Sequence, residues 1–490
     1  MADPYETVIG LEIHVQLGTR TKLFCGCPNT FGAPPNTNVC PVCYALPGAL
    51  PVPNQRALRL AVRAGLALDC TVPPESVFER KNYFYPDLPK GYQITQFEHP
   101  VARRGGLTIP AAGGGERRVR IHRIQLEEDA GKLVHEGFPG ADRHSGVDFN
   151  RAGVPLIEIV SEPDMRSPEE ASAYARTLRE RVVACGISDA DMEKGNLRMD
   201  GNISVRRRGE EGLGVKVELK NLNSFRFLRR ALAFEAGRQR EALSEGRRVM
   251  QETRLFDEAN GETRAMRSKE EAADYRYFPD PDIPPIRVPG GLVAEERAAL
   301  PEFPDQRAAR FRESDGLRPD LARTIAARDH LAAYYETVVA AAQAAGSPRK
   351  QAAAAAAAWI TTEVLAFEKE EGRLAAPAEH LGGLIHLLAA GKLPRNAVRE
   401  VFLAMCRTGR DAPTLVAELG LSDLAGGDRL REAAEAIVAR HPAERDAWRA
   451  GRRQVVGFFM GRLMRELRGK ADPREARRAL EQALDDAPSA

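Results

Sequence analysis

Two hydrophobic periods divide the chain, and no single layer of structure accommodates both. Up to about residue 290 the apolar residues alternate. In VIGLEIHVQL (8–17), Leu11, Ile13, Val15 and Leu17 take one face and Glu12, His14 and Gln16 the other. Beyond about residue 305 the chain turns to Ala, Leu, Glu and Arg at the 3.6-residue spacing of amphipathic helices. The passage between carries Pro279, Pro281, Pro284, Pro285, Pro289, Pro301 and Pro304, whose fixed φ and missing donors argue against regular structure. The expected class is therefore α+β, an antiparallel-sheet domain followed by helices. A length of 490 residues suits about three domains, expected at 1–295, 296–412 and 413–490. The second boundary falls among the turn residues of RTGRDAP (407–413) and LAGGDR (424–429). The alanine run 352–358 predicts a tightly packed helix, and AAGGGE (111–116) a hairpin turn or loop.

Lys and Arg number 71 against 69 Asp and Glu, a net charge of +2, so a nucleic-acid partner has to be met by a local patch. MADPYETVIG lacks a basic segment followed by an apolar one, and no run of about 18 apolar residues occurs, which predicts a cytoplasmic protein without membrane contact. Four of the seven cysteines crowd into 25–43 as C-x-C-x12-C-x2-C. Two close pairs across a short loop suit a tetrahedral thiolate site, and Cys25, Cys27, Cys40 and Cys43 are expected to hold a structural zinc ion. Cys70, Cys185 and Cys406 stand alone and read as buried small apolar residues.

Several strands present acids. Glu12 and His14 point the same way, roughly 6.6 Å apart along their strand, a spacing able to flank a small cation and equally that of a solvated sheet face. GNLRMDGNISVR (195–206) puts Asn196, Arg198, Asp200, Asn202 and Ser204 on a polar face. After a turn, VKVELK (215–220) reads as its antiparallel partner, with Val215, Val217 and Leu219 inward and Lys216, Glu218 and Lys220 on the polar side. In HRIQLEEDAGK (122–132) the parity slips between Val119, Ile121 and Ile124, Leu126, predicting a bulge. Alternation leaves open which of Glu127, Glu128 and Asp129 faces a site. Hard oxygen donors with few histidines suit Mg²⁺, and carboxylates among Lys and Arg suit a metal-bound triphosphate. No GxxxxGK[ST], GxGxxG or kinase catalytic loop is present.

Longer motifs carry a resemblance: YETVIGLEIHVQL (5–17), KNYFYPDLPKGYQITQFEHP (81–100), LEEDAGK (126–132), DFNRAGVPLIEIVSEPDMRSPEEA (148–171), MEKGNLRMDGNISVR (192–206), VELKNLNSFR (217–226), QETRLFD (251–257) and MRSKEEAADYRYFPDPDIPP (266–285). The chain resembles the GatB family, the B subunits of the aspartyl/glutamyl-tRNA amidotransferases, over essentially its whole length. The resemblance implies a cradle-shaped catalytic domain, a helical domain and a small YqeY-like tail. It implies that ATP phosphorylates the side-chain carboxylate of misacylated Glu-tRNA(Gln) or Asp-tRNA(Asn), and that ammonia from the amidase, or A, subunit displaces phosphate, with a small C subunit completing a heterotrimer. Position by position it implies a catalytic set of Glu12, His14, Glu128, Asp200 and Glu218, with Glu12, His14, Glu128 and Glu218 toward Mg²⁺ and Lys81 and Lys220 toward phosphate. Glu128 is thus chosen by the resemblance where the bulge left the choice open. Met199 and Gly201 stand where many relatives carry Cys and Ala. Some members lack the four cysteines, which makes zinc a support of the fold.

A carboxylate is a poor electrophile, and phosphorylation supplies a leaving group. For RNA, residues 445–470 carry Arg445, Arg449, Arg452, Arg453, Arg462, Arg465, Arg468 and Lys470 against Asp446 and Glu466, a local basic patch. No DNA partner is expected, and the rival reading, a zinc-containing RNA-binding or assembly protein without its own catalysis, does not explain acids gathered on one sheet face. A glutamate-only archaeal relative carries a synthetase-like insertion for which the sequence has no room.

Overall fold

A computed structural model describes residues 3–266, 274–373, 375–393, 397–419, 421, 428–467, 471 and 473–486. The chain divides into two compact units, 1–303 and 304–490.

The first unit is built on an eight-stranded sheet. Its strands are β1 (Tyr5–Gln16), β4 (Ala102–Pro110), β5 (Glu116–Glu128), β6 (Pro155–Ser161), β7 (Leu197–Arg207), β8 (Val217–Lys220), β9 (Glu252–Asp257) and β10 (Glu262–Ala265). They lie side by side in the order β10-β9-β8-β7-β1-β6-β5-β4. β2 (Glu79–Asn82), β3 (Tyr92–Thr95) and the two-residue β11 (Phe278–Pro279) form a separate small sheet. The large sheet differs from an all-antiparallel one at a single junction, where β8 and β9 run parallel. The 20-residue helix Phe225–Ser244 between them carries the chain back to the same end, the crossover that parallel neighbours require.

The alternation read from β1 holds: Leu11, Ile13 and Val15 are fully buried and Glu12, His14 and Gln16 are half-buried. The apolar face is covered by α1 (Gln55–Ala67), α2 (Pro168–Ala184) and α3 (Phe225–Ser244), which share one core with it. Each helix starts where its sequence offers a cap. Asn54 accepts from the amides of Arg56 and Ala57, Ser167 precedes Pro168 and accepts from Glu170, and Ser224 accepts from Phe227. The expected bulge lies in β5, where the register against β6 shifts between Ile121 and Arg123. β8 begins at Val217, so Val215 is not inward; it is exposed in the loop that joins β7 to β8. The proline-rich passage is more regular than expected, because the proline-free stretch after Pro289 forms the helix Gly290–Ala298.

In the second unit the alanine run lies in the helix Arg349–Trp359, with Ala352, Ala353, Ala356 and Ala357 fully buried. One apolar core gathers residues between Ala308 and Leu421, including Leu415 and Val416, and a separate one gathers residues between Leu430 and Leu484. Gly426 and Gly427 of the expected linker, and Arg468 and Lys470 of the basic patch, lie outside the described residues. Among the described residues no helix is long and apolar enough to cross a membrane.

Candidate functional site

The polar face of the large sheet is assembled by register. On β1, Glu12 stands opposite Asp200 of β7, and His14 stands between Arg198 of β7 and Glu158 of β6. One strand further out, Gln125 of β5 lies opposite Glu158, and Glu127 follows two residues on with the same orientation. His14, Glu127 and Glu158 thereby bring three ligand atoms within 4.8 Å of one another, a group able to hold a metal ion.

The group is wired in place. Gln125 Nε2 donates to both Glu127 and Glu158. From the small sheet above, Thr95 Oγ1 donates to Glu127 Oε1, and Gln93 Nε2 donates to Glu127 Oε2 at 3.1 Å. His14 Nε2 lies 3.8 Å from Glu158 Oε1. Burial, and to a lesser degree Arg198, holds the imidazole pKa below its ordinary value against the pull of nearby acids, which favours the neutral form with a lone pair to offer. Burial pushes the Glu158 carboxyl well above the usual range, and Glu127 adds to the shift. Two acids crowded into a dry site are the environment a cation relieves.

The remaining sequence-selected acids form a second cluster along the same face. Asn202 Nδ2 donates to Glu12 Oε1 at 2.8 Å, while the side-chain Oδ1 of Asn202 is buried without a hydrogen-bond partner. Lys220 Nζ bridges Asp200 Oδ2 at 3.3 Å and Glu218 Oε1 at 3.1 Å, and Thr253 Oγ1 donates to Glu218 Oε2 at 2.7 Å. Lys81 makes no ion pair among the described residues. Its ammonium lies 4.8 Å from the ring centroid of Tyr275 and 5.9 Å from that of Tyr83, near enough to Glu158 to pull that carboxyl downward.

Glu128 does not join the His14 group. It has the parity of Ile124 and Leu126, and its carboxylate is buried on Lys90 Nζ and on the Ile94 amide at 3.0 Å. The side chain brought to His14 is Glu127. Sequence reasoning also passed over Glu158, whose one signal is a lone acid inside the apolar run PLIEIVS.

The cysteines converge as expected. Sγ of Cys43 lies 3.7 Å from Cys25, 3.8 Å from Cys40 and 3.9 Å from Cys27, and all four sulfurs fall within 4.8 Å of one another. Lys22, fully buried, points its ammonium at Cys43 Sγ and at the Phe149 carbonyl, 3.3 Å from each. The Cys25 thiol and Lys22 draw the Cys43 pKa down to about 4 against the effect of burial, while burial lifts Cys27 to about 11. Cys43 and Glu128 line the same small cavity, so the thiolate loop packs against the end of β5. Cys70, Cys185 and Cys406 are buried singly.

A sheet face lined with carboxylates and one imidazole, backed by a four-cysteine loop and followed by a helical unit, defines an α+β protein with two metal-capable centres. Residues 7–294 match the GatB/GatE catalytic domain, and residues 338–484 match the GatB domain that carries the Yqey name. The chain belongs to the GatB family. It is 46% identical over 484 residues to the B subunit of the aspartyl/glutamyl-tRNA(Asn/Gln) amidotransferase of Persephonella marina, covering 98% of this chain and 99% of that one. The proteins of the same name from Anaeromyxobacter sp. strain K and Myxococcus xanthus are each 46% identical over 487 residues, again 98% of this chain and 99% of theirs.

Proposed function

We propose that this chain is the kinase and transamidase half of a glutamine-dependent amidotransferase, converting misacylated Glu-tRNA(Gln), Asp-tRNA(Asn) or both to Gln-tRNA(Gln) and Asn-tRNA(Asn). The observation that carries this reading is the His14, Glu127 and Glu158 group on the polar sheet face, in a chain similar end to end to proteins of that name. Its partners are the amidase subunit that supplies ammonia, the small C subunit and the misacylated tRNA, the three proteins assembled as a heterotrimer in the cytoplasm.

The donor set fits Mg²⁺: carboxylate oxygens dominate, and the buried acid pair needs a cation. Glu127, Glu158 and His14 would hold one ion, with Glu12, Asp200 and Glu218 available to a second or to metal-bound water. When bound, Mg²⁺ offsets the repulsion between the substrate carboxylate and the γ-phosphate of ATP. The residues of the chain do the positioning. Gln125, Thr95 and Gln93 fix the carboxylates, burial favours the neutral form of His14, and Lys81, free of ion pairs among the described residues, is placed to meet phosphate charge. Lys220 is held between Asp200 and Glu218 and reaches phosphate only by exchanging those partners. Phosphorylation turns the side-chain carboxylate into an acyl phosphate, and neutral ammonia then expels phosphate. Glu128, paired with Lys90 and the Ile94 amide, lies beside this group and not in it.

Zinc fits the four sulfurs. A tetrahedron with Zn–S of about 2.3 Å has sulfur edges of about 3.8 Å, close to the 3.7, 3.8 and 3.9 Å separations from Cys43. All four positions are filled by protein, so the ion is structural.

For the domains we propose a cradle that ends near residue 303 rather than 295, a helical domain whose core runs to Leu421 rather than stopping at 412, and an RNA-holding tail from about residue 428 to 490. In the tail Arg452, Arg453, Arg462 and Arg465 are exposed. Deleting residues after about 425 is expected to raise the KM for aminoacyl-tRNA roughly tenfold or more and to flatten its salt dependence, with the KM for ATP unchanged. Steady-state kinetics at several salt concentrations check it. Incubating the assembled complex with ATP, glutamine and each misacylated tRNA in turn tests the function itself and identifies which product forms; formation of neither amidated tRNA would refute it.

A further inference from the structure

At the β4 edge of the large sheet the polar face changes sign. Arg103 of β4 stands directly opposite Arg123 of β5, a like-charge cross-strand pair that repels unless an anion joins it. Arg104, the next residue, is held at φ 57°, a left-handed conformation that favours glycine. It falls between the Arg103–Arg123 and Gly105–Ile121 pairs, beside the bulge of β5 that contains His122, and bulges re-aim side chains. These residues wall a cavity of about 570 Å³.

Part of the charge there is already matched. Arg120 is paired with Asp164 at 2.7 and 2.8 Å, and His122 with Glu162 at 3.0 Å. Arg103 and Arg104 are exposed and make no side-chain hydrogen bond or ion pair among the described residues, and against them stands Glu98 on the same wall. Arg123 is fixed in orientation: its guanidinium lies 4.7 Å from the Phe97 ring centroid, and its Nε donates to Gln125 Oε1 at 2.8 Å. Phe97 in turn stacks on Tyr277 at 4.5 Å. Because Gln125 also donates to Glu127 and Glu158, hydrogen bonds join the arginine pocket to the candidate metal group. Arg123 is four residues from Glu127 on one strand face, roughly 13 Å away.

We propose that Arg103, Arg104 and Arg123 form a subsite for a phosphodiester of the single-stranded, amino-acid-bearing end of the RNA substrate. This deepens the function proposed above and rests on it. An RNA end whose esterified amino acid brings its free side-chain carboxylate to His14, Glu127 and Glu158 must leave the site as a phosphodiester chain along the sheet surface. Guanidiniums on two neighbouring strands match such a spread anion, and the Arg123–Phe97 stack offers a plane to an unstacked base.

The test uses the assembled complex carrying Arg103→Gln with Arg104→Gln, two exposed edge positions whose change leaves the core intact, and separately Arg123→Gln. Equilibrium affinity for misacylated tRNA is read against salt, alongside the KM for ATP. The double variant is expected to bind tRNA about tenfold more weakly, with a salt slope shallower by about 1.4, two contacts at about 0.7 each for single-stranded RNA. The KM for ATP should not change. Unaltered tRNA affinity and slope would overturn the subsite, and so would a rise in the KM for ATP alone, which would assign the pocket to the nucleotide triphosphate. Because tRNA affinity is read directly, this result is separate from amidation by the wild-type complex, whose absence would instead refute the underlying function.

Discussion

Replacing His14 with Ala in the assembled complex is expected to lower tRNA-dependent amidation about a thousandfold, while glutamine hydrolysis by the amidase subunit stays measurable. The imidazole is the one nitrogen ligand in the group it can form with Glu127 and Glu158, and burial lowers its pKa. Losing a metal donor at a site of developing phosphate charge removes several kcal/mol of transition-state stabilisation, and about 4 kcal/mol is a thousandfold in rate. Glu158→Gln, which keeps the shape and removes the charge, should act in the same direction. Initial rates of amidated-tRNA formation measure both, with thermal unfolding as the control for folding. His14 and Glu158 face each other on the polar side of central strands, outside the apolar core, so Tm should change little in either variant. Amidation at the wild-type rate in both would remove this group from the chemistry.

The second large effect belongs to the cysteine loop. Wild-type protein is expected to retain about one zinc per chain through purification, and the Cys40→Ser, Cys43→Ser double variant to lose it. Stability should fall too, because Lys22 is fully buried with its ammonium 3.3 Å from Cys43 Sγ. Removing that thiolate strands a buried charge, a cost of about 3 to 5 kcal/mol. At about 2 °C per kcal/mol for a unit of this size, Tm should drop by roughly 6 to 10 °C. Metal analysis and calorimetry decide it. Wild-type protein free of zinc, with all four thiols open to rapid alkylation, would contradict the tetrathiolate site.

Much of this site is legible in the sequence because it lies on strands, where a period of two commits every side chain to a face. Glu12 and His14, Asp200 and Asn202, and Glu218 and Lys220 are each placed by local alternation alone. So is the bulge near residue 122, and the cysteine spacing needs only loop closure. Which acid of LEEDAGK turns toward His14 is not legible, since the extra residue in β5 breaks the parity that alternation depends on. The family resemblance points to Glu128, whereas the carboxylate standing beside His14 is that of Glu127. Glu158 is hidden for a different reason. Within PLIEIVS it looks like one polar residue in a buried strand, and its role follows from lying opposite His14, a register fixed only when β1 and β6 pair. The parallel junction of β8 and β9 is likewise a tertiary outcome, set by the return of α3 across the sheet.

If the cradle activates a carboxylate with ATP, the most direct measurement is ADP formation by the assembled complex supplied with ammonia in place of glutamine. ADP should appear only when misacylated tRNA and Mg²⁺ are both present, in a one-to-one ratio with amidated tRNA, and the His14→Ala complex should form both about a thousandfold more slowly. Amidated tRNA formed without ADP, or ADP formed equally well with uncharged tRNA, would contradict it.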